Sequence, residues 1–77
     1  MGIVKVGVLG GTFNPIHCGH LHIARRIQRL FSLTHIHFVV AYIPPHKPLE
    51  NLISFSHRYA MVSLAVAGIP SFLPSMV

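Results

Sequence analysis

His17 and His20 stand three residues apart in the stretch GGTFNPIHCGH, residues 10–20, with Gly19 between them. Side chains three apart near the start of a helix reach the same side of its mouth. Imidazole is neutral or cationic near pH 7, and it donates a hydrogen bond to a phosphate oxygen. Gly10 and Gly11 precede the histidines, and glycine lets a backbone turn sharply and come close to a ligand. Thr12 adds a hydroxyl, and Phe13 continues the same loop. Gly19 falls in the first turn of the predicted helix and keeps a side chain out of its mouth, where free amides and the helix dipole favour phosphate. The chemistry indicated is a phosphate or nucleotide cradle with two imidazole donors. No Gly-Lys-Ser/Thr follows, so this is not a Walker A loop, and the Gly-x-Gly-x-x-Gly dinucleotide spacing is absent.

Competing uses of the same residues are weaker. Both histidine rings could instead bond the loop backbone and serve structure alone. His17, Cys18, His20 and His22 match no common zinc spacing and lack a distant second pair, so no metal ligands are expected. Glu50 is the only acid in the chain, which excludes acid-base chemistry by paired carboxylates. His35 and His37 alternate on a strand and share a face, and His57 falls in the first turn of a helix. Arg25, Arg26 and Arg29 read as a solvated helix face. No aromatic stacking platform accompanies them, which argues against nucleic acid as a partner.

The elements that must position the cradle follow from periodicity. Residues 3–9 are rich in β-branched side chains and read as a strand, apolar enough to be buried on both faces. Residues 19–31 place Ile23, Ala24, Ile27, Leu30 and Phe31 on one helical face. Residues 36–42 form a second strand. Three closely spaced prolines make the following IPPHKPLENLISFS a loop. Ser54 or Ser56 caps a second helix over residues 57–67, with Met61, Leu64 and Ala65 as core. Gly68 suits the position after the helix, Pro70 blocks its continuation, and SFLPSMV begins a third strand. The order β-α-β-α-β predicts an α/β, Rossmann-like parallel sheet. Ligands bind beyond the carboxyl ends of such strands. The glycine-histidine segment and the PPHK loop both open onto that edge.

Composition sets the outer bounds. The chain has 77 residues, 52% of them apolar and only 9% charged, against about a quarter charged in ordinary globular chains. Six basic residues against one acid give a net charge of +5, which suits anionic ligands. A single cysteine allows no internal disulfide and fits a reducing, cytoplasmic compartment. No apolar stretch approaches the roughly 20 residues needed to span a bilayer, so no membrane role is expected.

GGTFNPIHCGHLHIA, followed by PPHKP and HRYAMVSLA, closely resembles the bacterial nicotinate-nucleotide adenylyltransferases. These belong to the nucleotidyltransferase superfamily that carries His-x-Gly-His. That short motif alone indicates the superfamily; GGTFNPIH together with PPHK is more specific. The resemblance runs from about residue 6 to residue 75. It implies transfer of AMP from ATP to nicotinate mononucleotide, giving deamido-NAD and pyrophosphate. On that resemblance His17 and His20 contact the ATP phosphates, while Gly10, Gly11, Thr12, Phe13 and Gly19 line the ATP site. Lys47 and His46 approach the mononucleotide, and Mg²⁺ accompanies ATP with few protein ligands. Members of that family run well beyond this length. Their second half carries a Ser/Thr-rich segment ending in an ATP-contacting Arg, and much of the acceptor pocket. The expectation for residues 1–77 is therefore the N-terminal part of a single nucleotidyltransferase domain, truncated at its C-terminus. An inactive fragment, or a relative with another phosphate acceptor, are the alternatives. A short parallel sheet also exposes apolar surface, so self-association through that surface is expected.

Overall fold

The computed structural model describes residues 2–42 and 52–76. Five elements follow one another: β1 (Val6–Gly11), α1 (Cys18–Phe31), β2 (His35–Val40), α2 (Phe55–Val66) and β3 (Phe72–Met76). The strands form one parallel sheet in the order β1-β2-β3. The expected α/β order is therefore present, with β2 at the centre.

Strand boundaries are set by where partners exist. β1 begins later than its β-branched run, because pairing starts where Val6 faces His35. Just before it, the Lys5 carbonyl accepts from the Thr34 amide at 2.7 Å, and its amide donates to Thr34 Oγ1 at 3.0 Å. Ile3 and Val4, further upstream, are exposed. At the other end β1 runs on through Gly10 and Gly11, which pair opposite Val39 and Val40. Neither glycine has a positive φ, so they do not make the sharp turn expected of them. Phe13 does, with φ 48°. β2 stops at Val40, two residues earlier than the apolar run. The carbonyls of Ala41 and Tyr42 are taken by the Arg58 guanidinium and not by a strand.

One face of the sheet holds the core. Ile36, Phe38 and Val40 are buried and alternate with half-buried His35, His37 and Val39. Phe72 from β3, Ala24 from α1, Val62 and Val66 from α2, and Phe13 complete the cluster. Both helices pack on this face. The opposite face carries Val6 and Val8, 53% and 70% exposed, so β1 is not buried on both sides as its apolar run suggested. Pro74 is accommodated because β3 is an edge strand, where a missing donor costs little.

The helices are rotated from their expected settings. On α1 only Ala24 of the five predicted core residues is buried, and Ile23, Leu30 and Phe31 are exposed. The small Ala24 side chain lets the helix seat closely, and the apolar arc is wider than that contact. Arg25 leaves the solvated face and places its guanidinium 5.2 Å from the Phe72 ring centre. On α2 the buried residues are Arg58, Val62 and Val66, while Leu64 is exposed and Met61 and Ala65 are half-buried. A helix apolar on nearly every side gives no period to read. The residues that do face inward are spaced by four, in register with Arg58. Ser54 is the N-cap, its Oγ accepting from the His57 amide at 3.4 Å. The helix closes at Ala67 in the right-handed region, and Gly68 adopts no positive φ.

This packing predicts a graded response to substitution. Phe38→Ala, at a fully buried position, should cost about 3–5 kcal/mol in urea unfolding, whereas Leu64→Ser should stay within about 0.5 kcal/mol. A comparable loss from both would contradict the assigned rotation of α2.

Candidate functional site

β1 delivers the chain to the carboxyl edge of the sheet at Gly11, whose carbonyl still accepts from the Ala41 amide at 2.9 Å. The loop then turns at Phe13, whose side chain is buried in the core cluster. A positive φ is disfavoured for a residue with a side chain. Here the buried ring offsets that cost. It sits 6.0 Å from the Phe38 ring and meets His20 edge-on at 5.0 Å. Gly11 makes the room, because a Cβ there would come within 3.3 Å of the Phe13 ring. The Asn14–Pro15 peptide bond is cis. Asn14 Oδ1 accepts from the Ile53 amide at 2.9 Å, which ties the loop to the approach of α2.

α1 opens with a pair of reciprocal histidine caps. His17 is the N-cap, and its Nδ1 accepts from the Gly19 amide at 3.1 Å. His20 Nδ1 accepts in turn from the His17 amide at 3.0 Å. Two donors that the helix geometry leaves without partners are satisfied in this way. The rings lie 4.0 Å apart at 39°. An Nδ1 that accepts a hydrogen bond has no proton, so in the neutral ring the proton sits on Nε2. Capping therefore fixes both tautomers and leaves two Nε2–H donors. Burial, and then the neighbouring His17, push the His20 pKa below its ordinary 6.5. Nδ1 of each ring serves the helix start, as the structural reading expects, and both residues also line the cleft.

Gly19 is required for this arrangement. A Cβ on it would lie 2.8 Å from His17 Cε1 and 2.9 Å from Nδ1. Its amide donates to the capping Nδ1 of His17, and it does not line the cleft.

The cleft itself has a volume of about 360 Å³ and is lined by the run from Leu9 to Pro15 together with His17 and His20. That is near the lower end of ligand pockets. A Cβ at Gly10 would meet nothing within 4 Å, so this glycine leaves open space at the cleft wall. The chain's single acid, Glu50, lies outside the described residues, and α1 has no acid in its first turn. Imidazole donors and a helix N-terminus therefore face the cleft without an opposing carboxylate among the described residues. Among those residues, no three His, Cys, Asp or Glu side chains are placed to hold a metal ion. His46 and Lys47 fall outside the described residues.

Arg58 was not legible as part of the site. It is fully buried, and its guanidinium donates to the carbonyls of Ile53, Thr12, Ala41 and Tyr42 at 2.7, 2.9, 2.6 and 2.8 Å. The available signal was a lone arginine inside an apolar helix, in a chain with almost no acids to pair it.

Residues 8–75 match the model of the cytidylyltransferase-like family. Curated relatives named probable nicotinate-nucleotide adenylyltransferase are similar over nearly the whole chain. The protein of Geotalea uraniireducens is 53% identical over 74 residues, covering 96% of this chain and 34% of that protein. Those of Syntrophotalea carbinolica and Geobacter sulfurreducens are 49% and 46% identical, covering 90% and 94% of this chain and 32% and 33% of theirs. The chain thus spans about a third of the length of the curated relatives it matches.

Two outcomes follow from the histidine caps. In a proton NMR titration, His20 should titrate below 6.5, and the His17 amide resonance should move with it as the cap is protonated. The cap is intact above that pH and is lost as pH falls through the lowered pKa. Titration of His20 above 6.5 would contradict the geometry. Gly19→Ala should change stability by no more than about 1 kcal/mol, since the helix propensity gained offsets the cap lost. It should nonetheless displace the His17 ring, visible as loss of the Gly19-to-His17 hydrogen bond in a long-range ¹H–¹⁵N experiment.

Proposed function

Because the chain belongs to the cytidylyltransferase-like family, we propose that it forms the ATP-phosphate side of a nicotinate-nucleotide adenylyltransferase site. The observation that carries this reading is the pair of Nε2–H donors that capping leaves beside the cleft. The similar proteins carry that activity in their names. Under this reading residues 1–77 are the N-terminal part of one nucleotidyltransferase domain.

The proposed reaction joins a phosphate oxygen of nicotinate mononucleotide to the α-phosphorus of ATP. The bond from that phosphorus to the bridging oxygen of the β-phosphate breaks, and pyrophosphate leaves with the bond pair. Such transfers depend on positioning and on neutralising charge, with no covalent intermediate required. His17 and His20 donate from Nε2 to phosphate oxygens and stabilise charge that develops on them. Gly10 and Gly11 keep the wall of the cleft clear, Thr12 and Phe13 bound it, and the Gly19 amide holds His17 in place. Mg²⁺ enters with ATP, supplying positive charge to the polyphosphate. No cluster of His, Cys, Asp or Glu among the described residues is built to hold it, and when bound with ATP it would neutralise charge on the phosphates. His46 and Lys47 are assigned to the mononucleotide phosphate.

No helix among the described residues is long and apolar enough to cross a membrane. We assign the chain to the cytoplasm, which its exposed free Cys18 suits. No nucleic acid is among the partners we assign. Exposed Val6 and Val8 on the open sheet face support self-association through that surface.

The test is pyrophosphate release from ATP, Mg²⁺ and nicotinate mononucleotide, with His20→Ala as the control. Release by the folded chain should fall by about 10²-fold or more in the variant, the usual effect of removing one charge-stabilising donor. Equal release from both proteins would remove His20 from the reaction. Nucleotide binding without release would mean that the chemistry needs residues beyond these 77.

A further inference from the structure

We propose that Arg58 is a positioning residue that sets the orientation of the phosphate loop and couples it to the loop after β2. The inference rests on the phosphate-site reading above. Arg58 does not itself line the cleft; it acts through the backbone of other residues, the cleft-lining Thr12 among them.

Its four acceptors belong to three separate segments. Thr12 lies in the loop after β1, Ala41 and Tyr42 follow β2, and Ile53 precedes α2. A guanidinium is planar and rigid, so carbonyls bound to it are held at fixed mutual distances and angles. One group therefore fixes the separation of the two loops at the carboxyl edge of the sheet. Asn14 adds a second tie to the same place, since Ile53 gives its amide to Asn14 and its carbonyl to Arg58.

The consequence for the cleft comes through one peptide unit. A trans peptide is planar, and its C=O and N–H point in opposite directions. With the Thr12 carbonyl turned inward onto Arg58, the Phe13 amide is turned away from the guanidinium, on the loop that bounds the cleft. Arg58 thus determines which way a backbone donor of the phosphate loop faces. A purely structural role for the position would be served as well by an apolar side chain in line with Val62 and Val66, because replacing buried charge by apolar packing is often neutral or stabilising. Four directional bonds to loop carbonyls are what such a side chain could not supply.

The experiment follows ¹⁵N-labelled chain by NMR during titration with Mg-ATP, for wild type, Arg58→Lys and Val62→Ala. Lysine keeps the charge but not the fork, and Val62→Ala loosens the same helix while leaving all four Arg58 bonds to the loop carbonyls in place. In wild type, Mg-ATP should shift the Phe13 amide and the Arg58 Nε–H, and also the Ala41 and Tyr42 amides on the other loop. Arg58→Lys should weaken Mg-ATP binding about tenfold, the scale of one lost charge-assisted hydrogen bond. Val62→Ala should bind as wild type does when folded. Equal affinity in Arg58→Lys and wild type would overturn the proposal, as would equal weakening in both variants. If Arg58→Lys does not fold, the wild-type Arg58 Nε–H resonance decides alone, and its failure to move with bound Mg-ATP overturns the proposal. A wild-type chain that shows no response to Mg-ATP would overturn the phosphate-site reading instead. Positioning is then judged from ligand-free spectra, where Arg58→Lys must shift Phe13, Ala41 and Tyr42 beyond the changes caused by Val62→Ala.

Discussion

A fully buried guanidinium with no carboxylate partner among the described residues holds three segments of the chain together at the strand ends. Taking such an ion out of water costs several kcal/mol. A hydrogen bond to a charged group contributes roughly 1.5–3 kcal/mol. Four of them together offset that cost. The seating of α2, the end of β2 and the turn after β1 are therefore linked. α2 can bury Arg58 only if both loops offer their carbonyls, and the loops keep their shape only while Arg58 is there. This explains why β2 stops at Val40 although apolar residues continue, and why α2 buries the row Arg58, Val62 and Val66.

The second constraint is at the start of α1, where the same side chains cap a helix and face a cleft. Serine and glutamate would make a stronger capping box. Histidines do the work with Nδ1 and have a second nitrogen to spare, so capping orients the donors that a ligand would meet. Gly19 is the residue this arrangement cannot exchange freely, for reasons of contact with the His17 ring and not of backbone freedom. Phe13 plays the matching part on the other side. Its ring is sunk in the core, where it meets His20 and Phe38, and so the loop is anchored at a residue with positive φ. The cleft is consequently bounded by groups whose positions are set by the core.

Much of this was legible in the sequence. The order of elements followed from the change of period between residues 3–9 and 19–31, and the histidine pair followed from its spacing at a helix start. What failed did so for identifiable reasons. Local pattern cannot report which face of a sheet is covered, so β1 read as buried on both sides. The apolar arc of α1 exceeds the width of its contact, so Ile23 and Leu30 read as core and are exposed. α2 is apolar nearly all round, and its rotation depends on bonds from Arg58 to residues 16 to 46 positions away. No local window contains those partners. Sequence reading singles out Gly11 for turning and ligand approach and Gly19 for keeping a side chain out of the helix mouth; the structure instead shows an aromatic or imidazole ring lying against each. His46 and Lys47 fall outside the described residues.

The most direct test is a crystal structure of the chain with Mg²⁺ and a non-hydrolysable ATP analogue. The phosphates should lie in the cleft between Gly10 and His20, within hydrogen-bond reach of Nε2 of His17 and His20. Both Nδ1 atoms should remain on their backbone caps. Phosphates bound elsewhere, or histidine rings that leave their caps to reach the ligand, would contradict it.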